Sequence, residues 1–171
     1  MSPPRPGRLV NRAYVLRWIK SHDFFVAHGL RDKRWVKLFR QAVERGVHGT
    51  GWKPFYMDEA PPAGCELHIF QDYIKHAIRS LDFGIYDLSF KRPNVFLELG
   101  TALAFAGKDA YIVFQSGKFS MDNELSDLAG IYRGDCCEYK TFHELTVFIR
   151  KNIVRHRRLS SRILPTGPFG K

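Results

Sequence analysis

The stretch that decides the fold is 81–115, LDFGIYDLSFKRPNVFLELGTALAFAGKDAYIVFQ. Phe83, Ile85 and their neighbours form a short apolar run rich in β-formers that stops at Asp87. Ser89 to Pro93 is a polar loop. Asn94 stands where an N-cap belongs, since its side-chain oxygen can accept an orphan backbone N–H. Val95, Leu99, Ala102, Leu103 and Ala106 then recur at helical spacing, with Glu98 expected in the first turn. Gly107 and Lys108 end that helix, and Ala110 to Phe114 reads as a second buried strand. Together they make one βαβ unit, which closes right-handed around a parallel sheet.

Working outward, the same alternation continues. Phe24 to Ala27 is a compact strand signal ended by His28 and Gly29. From Asp32 to Arg45, residues Trp35, Leu38, Phe39, Ala42 and Val43 mark an amphipathic helix expected to stop at Gly46. Trp52 to Met57 reads as a strand, and Leu67 to Leu81 as a helix with Phe70, Tyr73, Ile74, Ala77 and Ile78 inward. A short helix is expected over Asn123 to Leu128 and a last strand over Tyr132 to Tyr139. Thr141 and Glu144 form a capping box opening a final helix to about Val154, with Leu145, Phe148, Ile149 and Ile153 inward. The fold class is therefore α/β: a flavodoxin-like, doubly wound five-stranded parallel sheet in a three-layer sandwich. The expected organisation is a basic N-terminal extension at 1–22, one α/β domain at 23–154 and a disordered basic tail at 155–171. Within the extension, Asn11 to Lys20 suggests a short helix docking Tyr14, Val15, Trp18 and Ile19 on the domain edge.

The 171 residues suffice for one domain with a substantial core, and a formal charge of +10 invites a nucleic-acid reading. Five of the 27 basic residues lie in 1–20 and seven in 150–171, segments without acids. Between 21 and 149 the remaining 15 basic residues face all 17 acidic ones, so the basicity belongs to the tails. Cys65, Cys136 and Cys137 fit neither a disulfide framework nor a C-x-x-C metal site, which points to a reducing, cytoplasmic compartment. No metal ligand set is expected. No apolar run reaches membrane-spanning length, and the N-terminus lacks the apolar core of a secretory signal.

In an open α/β sheet, ligands sit at the carboxyl ends of the strands at the topological switch point, here between the first and third strands. The residues delivered there are His28, Gly29, Asp87, Ser89 and, from the following helix, Glu98. Taken singly, Glu98 could be a helix-dipole acid, Asp87 a turn former, His28 a loop histidine, and Ser89 and Asn94 caps. Against that, Glu98 sits in a helix apolar nearly all round, where a lone carboxylate is costly unless it is paired or lines a cavity. Gly100 costs helix propensity and lets something approach closely. No nucleotide-phosphate loop motif occurs. The helix starts near Asp32 and Asn94 can bind a phosphate through backbone N–H groups, with Arg31, Lys33, Arg34, Lys91 and Arg92 beside them.

The stretch IYDLSFKRPNVFLELGTALAFAGKDAYIVF resembles the superfamily that holds nucleoside 2-deoxyribosyltransferases, nucleotide N-hydrolases and bacterial TIR-like domains. The matching elements are Asp87 ending a strand, the loop into Asn94-Val95, and Glu98-Leu99-Gly100 opening a small-residue helix. The strand FFVAHG at 24–29 and the closing Tyr139 to Leu145 are similar too, so the likeness covers roughly 23–154. It implies cleavage or transfer at the N-glycosidic bond of a nucleotide, either a nucleoside monophosphate or NAD⁺, the latter as substrate rather than cofactor. It implies Glu98 as nucleophile or stabiliser at C1′ and Asp87 as the group positioning or protonating the leaving base. It also implies a site completed across a homodimer. Where the transferases carry a second acid and a glycine before the glutamate, Arg92-Pro93-Asn94 stand here. Arg92 and Lys91 either read a substrate phosphate or form a solvated basic loop. The competing readings are a non-catalytic nucleotide sensor or protein-interaction module of the same fold, and nucleic-acid binding through the tails.

Overall fold

The computed structural model describes residues 12–56, 58, 73–105, 109–120 and 136–163. Five strands pair in parallel throughout: β1 (Phe24–Ala27), β2 (Pro54–Tyr56), β3 (Phe83–Asp87), β4 (Asp109–Gln115) and β5 (Cys136–Tyr139). Their order is β2-β1-β3-β4-β5, which puts the switch point between β1 and β3. Among the described residues five helices accompany them: α1 (Arg12–Ile19), α2 (Lys33–Val47), α3 (Lys75–Ser80), α4 (Pro93–Ala104) and α5 (Phe142–Ile163). This is the flavodoxin-like sandwich expected from the alternation of strands and helices.

Strand parity divides the core in two. Phe25, Ala27, Tyr86, Ile112 and Phe114 pack with Val15 and Ile19 of α1, Ile74, Ala77 and Ile78 at α3, and Val95, Leu99 and Ala102 of α4. Phe24, Val26, Phe83, Ile85, Tyr111 and Val113 face the other way, onto Trp35, Phe39 and Val43 of α2 and Leu145, Ile149 and Ile153 of α5. Strands covered on both faces are near-continuously apolar, which is why β3 is buried along its whole length.

Several boundaries differ from the sequence expectation for identifiable reasons. α2 is capped by Asp32, whose Oδ1 accepts from Trp35 N–H at 3.0 Å, and it passes through Gly46 to Val47. Gly46 is a contact residue rather than a stop signal: a Cβ there would lie 2.8 Å from Ile149 Cγ2. Leu38 is exposed rather than inward. Pro93 supplies the first turn of α4, so Arg92 is the N-cap and Asn94 lies inside the helix. Glu98 therefore belongs to the second turn, and the helix ends at Ala104, short of Gly107. Half of the capping box at α5 forms, with Glu144 N–H donating to Thr141 Oγ1 at 3.3 Å, while Glu144 Oε2 accepts from the N–H of Lys140, one residue before the cap, at 2.7 Å.

The domain limits shift at both ends. Val15 and Ile19 are fully buried, so α1 belongs to the packed body although it lies in the expected extension. α5 runs to Ile163, well past Val154 and into the segment read as a disordered tail, with His156 still buried. Phe70, Cys65, the end of the second predicted strand at Met57 and the helix expected over Asn123 to Leu128 lie outside the described residues. Cys136 is exposed and Cys137 half-buried. Among the described residues no helix is long and apolar enough to cross a membrane.

Candidate active site

The carboxyl end of β1 and the start of α4 enclose a cavity of about 260 Å³ at the switch point. Five of the eight predicted site residues line it: His28, Gly29, Arg92, Asn94 and Glu98. Leu30, Arg31, Pro93, Val95 and Asp58 complete the described wall together with Val26.

Glu98 reaches this wall because Pro93 fixes where α4 begins. Counting from that start, Val95, Leu99 and Ala102 point to the core, and Glu98 shares their buried side. It is 1 % exposed, and neither carboxyl oxygen has a hydrogen-bond partner. Burial alone pushes its pKa up to about 8, so at neutral pH most of it is the neutral acid. Arg92 lines the same cavity with its Nε–H buried and unpartnered. An unsatisfied acid and an unsatisfied guanidinium N–H on one cavity wall are the pair of groups a polar ligand would complete. Gly29 makes room for this arrangement: a Cβ there would meet Arg92 Cγ at 3.2 Å. The preceding Lys91 takes a left-handed φ of 49°, closing the turn Leu88–Lys91 through its N–H to Leu88 C=O at 3.0 Å.

His28 is 8 % exposed and fully engaged. Arg40 Nε–H donates to its Nε2 at 3.2 Å, and Nδ1 lies 3.2 Å from Gly29 C=O. Accepting at Nε2 assigns the proton to Nδ1, which donates to the carbonyl. Burial, with the Arg40 charge adding to it, holds its pKa below the ordinary histidine value. His28 is thus a neutral wall residue with both nitrogens committed. Arg40 also bonds Asp58 and lies over the Tyr56 ring, 4.4 Å from its centroid. One guanidinium therefore joins α2, the end of β2 and the wall of the cavity.

Asp87 and Ser89 are placed elsewhere. Asp87 has the parity of Phe83 and Ile85, whose side chains meet α2 and α5, whereas α4 covers the opposite face. Ser89 Oγ donates to Asp87 Oδ1 at 2.6 Å and accepts from Gln115 N–H at 2.7 Å, with the Tyr139 hydroxyl 3.4 Å away. The group ties the carboxyl ends of β3, β4 and β5 together. Burial raises the Asp87 pKa to about 7, with Ser89 and the Lys118 charge pulling back toward ionisation. Neither Asp87 nor Ser89 lines the cavity. Gly100 is outside it as well: a Cβ would meet nothing within 4 Å, so no close approach requires a glycine there.

Residues that sequence reasoning missed are Asp58 and Arg40. Asp58 reads as a solvated loop charge and Arg40 as one cation on the polar face of α2, and their juxtaposition across 18 residues leaves no local pattern. Among the described residues no group of three His, Cys, Asp or Glu side chains could hold a metal ion. Neither a protein-family model nor a curated protein matches the sequence.

Proposed function

We propose that the cavity binds a nucleotide and that Glu98 acts at C1′ to break its N-glycosidic bond. The observation that carries this reading is the buried, unpartnered Glu98 carboxyl on the wall of the switch-point cavity, with Arg92 Nε–H unpartnered beside the same space. The resemblance of 81–115 to the deoxyribosyltransferase and N-hydrolase superfamily supports the same reaction class. The C1′–N bond breaks with its electron pair leaving on the base, and the Glu98 carboxylate balances the positive charge that develops at C1′ or bonds to it. Water or a second base then takes the sugar. Arg31 and Arg92, with the N-termini of α2 and α4, supply positive potential for a substrate phosphate.

Of the two substrate classes, the described lining favours NAD⁺. Both His28 nitrogens are committed, Asp58 is paired with Arg40, and Asp87 faces away from α4. A nicotinamide ring is already cationic and leaves as a neutral molecule, whereas a purine or pyrimidine of a monophosphate needs a proton from a nearby acid. Incubating the protein with NAD⁺ and with a panel of nucleoside and deoxynucleoside monophosphates, followed by chromatography, tests this directly. Free nicotinamide with ADP-ribose is the expected product pair. A non-catalytic nucleotide sensor is the second reading, favoured by Asp87 turning away from the cavity. It would show a raised thermal midpoint with some member of the panel and no free base from any.

A further inference from the structure

The switch-point cavity shares part of its wall with a second, more open groove. Leu30 and Asp58 line both, and the groove, of about 500 Å³, is lined further by Lys33, Val36, Lys37 and Arg40. Lys33, Lys37 and Arg40 follow at i, i+4 and i+7 along α2, so they share one face of the helix. Arg40 is committed to His28, Asp58 and the Tyr56 ring. Lys33 and Lys37 are exposed and make no ion pair among the described residues. Leu30, 49 % exposed, and the half-buried Val36 add apolar surface to the same groove.

The cavity is too small for a whole dinucleotide. At about 260 Å³ it falls short of the roughly 300–1,000 Å³ that enclose drug-sized ligands, and a dinucleotide is larger than those. It can take one nucleoside end, with the scissile bond at Glu98, and the rest of the molecule has to leave over the rim. Leu30 and Asp58 are rim residues that lead into the groove. Building on the reading of the cavity as a site of N-glycosidic cleavage, we infer that the groove holds the adenosine-phosphate half of a dinucleotide substrate. Arg31 and Arg92 on the cavity wall face the nearer phosphate, and Lys33 and Lys37 take the farther one. The charge is complementary, since the described groove lining sets three cations against the single acid Asp58. Leu30 and Val36 offer the base an apolar surface. A nucleoside monophosphate has nothing to place there. Lys33 and Lys37 thus select for substrate length without touching the reacting atoms.

The test is isothermal titration calorimetry on the full-length Glu98→Gln protein, which keeps the ligand intact, with NAD⁺ and nicotinamide mononucleotide as probes. Both carry the same nicotinamide ribose phosphate, and only NAD⁺ carries the second half. NAD⁺ should bind the more tightly. Replacing Lys33 and Lys37 together by Gln should weaken NAD⁺ by about tenfold and leave nicotinamide mononucleotide within about twofold. Each single substitution should cost NAD⁺ about threefold, which keeps the test sound if circular dichroism shows the double variant misfolded. Lys151→Gln, an exposed cation of α5, should change neither affinity. Nicotinamide mononucleotide binding as tightly as NAD⁺, or both ligands weakened equally by the lysine substitutions, would overturn the groove assignment while leaving the cavity a nucleotide site. Binding of neither ligand would overturn it together with the NAD⁺ reading of the cavity.

Discussion

Glu98 is a carboxyl group that the fold buries without giving it a partner, and its titration should be visible in stability. Its pKa is raised from 4.5 to about 8, so between those values the native state holds a proton that the unfolded chain has released. Stability therefore falls as pH rises through this window, by up to about 1.4 kcal/mol per pH unit, and levels off above about pH 8. Asp87, raised from 3.8 to about 7, adds a component of the same sign at lower pH. In urea titrations at a series of pH values, Glu98→Gln should lose the Glu98 part of the slope and gain on the wild type as pH rises. An unchanged slope in that variant would place the titration elsewhere. Because catalysis needs the carboxylate, kcat/KM should climb with pH, be half-maximal near 8 and level off above it; a profile falling over that range would make Glu98 a proton donor instead. At Ser89 the prediction is structural. Ser89→Ala removes the hydroxyl that Asp87 and Gln115 N–H share, and should cost about 1 to 3 kcal/mol in chemical denaturation. Glu98, Arg92 and Gly29 are legible in the sequence because an acid in an apolar helix and a glycine closing a strand are locally odd. Asp58 and Arg40 are not legible, since each is an ordinary exposed charge until the fold joins them.

Helices α2 and α5 show how an element can be read correctly and bounded wrongly. Their periodicities identify Trp35, Leu38, Phe39, Ala42 and Val43, and Leu145, Phe148, Ile149 and Ile153, as the packing faces; Leu38 is exposed and Phe148 half-buried, and the others are buried. Gly46 looks like a stop because glycine is a poor helix former, but here it is the point where the two helices touch. Gly46→Ala gains about 1 kcal/mol in helix propensity and loses more by overpacking, since the new Cβ would sit 2.8 Å from Ile149 Cγ2 and 3.2 Å from Thr146 C=O. A net loss of roughly 1 to 2 kcal/mol is expected, and Ile149→Ala should restore part of it in a double-mutant cycle. Net stabilisation by Gly46→Ala would contradict this packing. The start of α4 follows the same lesson. Pro93, not Val95, takes the first helical position, and that two-residue shift carries Glu98 into the second turn.

At the scale of the molecule, strand order and the switch point are readable from the alternation of strands and helices, because a right-handed crossover leaves few ways to close the sheet. The face on which each strand-end residue falls is set by parity, and Asp87 lands on the α2 and α5 side, away from the helix that carries Glu98. The result is a cavity at the carboxyl pole with an unpartnered acid on its wall. The most direct measurement of the central claim is base release from NAD⁺ by the wild-type chain and by Glu98→Gln under identical conditions, with both variants shown to be folded. Nicotinamide should accumulate with the wild type and fall by roughly 10³-fold or more in the variant. Release at equal rates from both, or from neither, would contradict the assignment of Glu98 to chemistry at C1′.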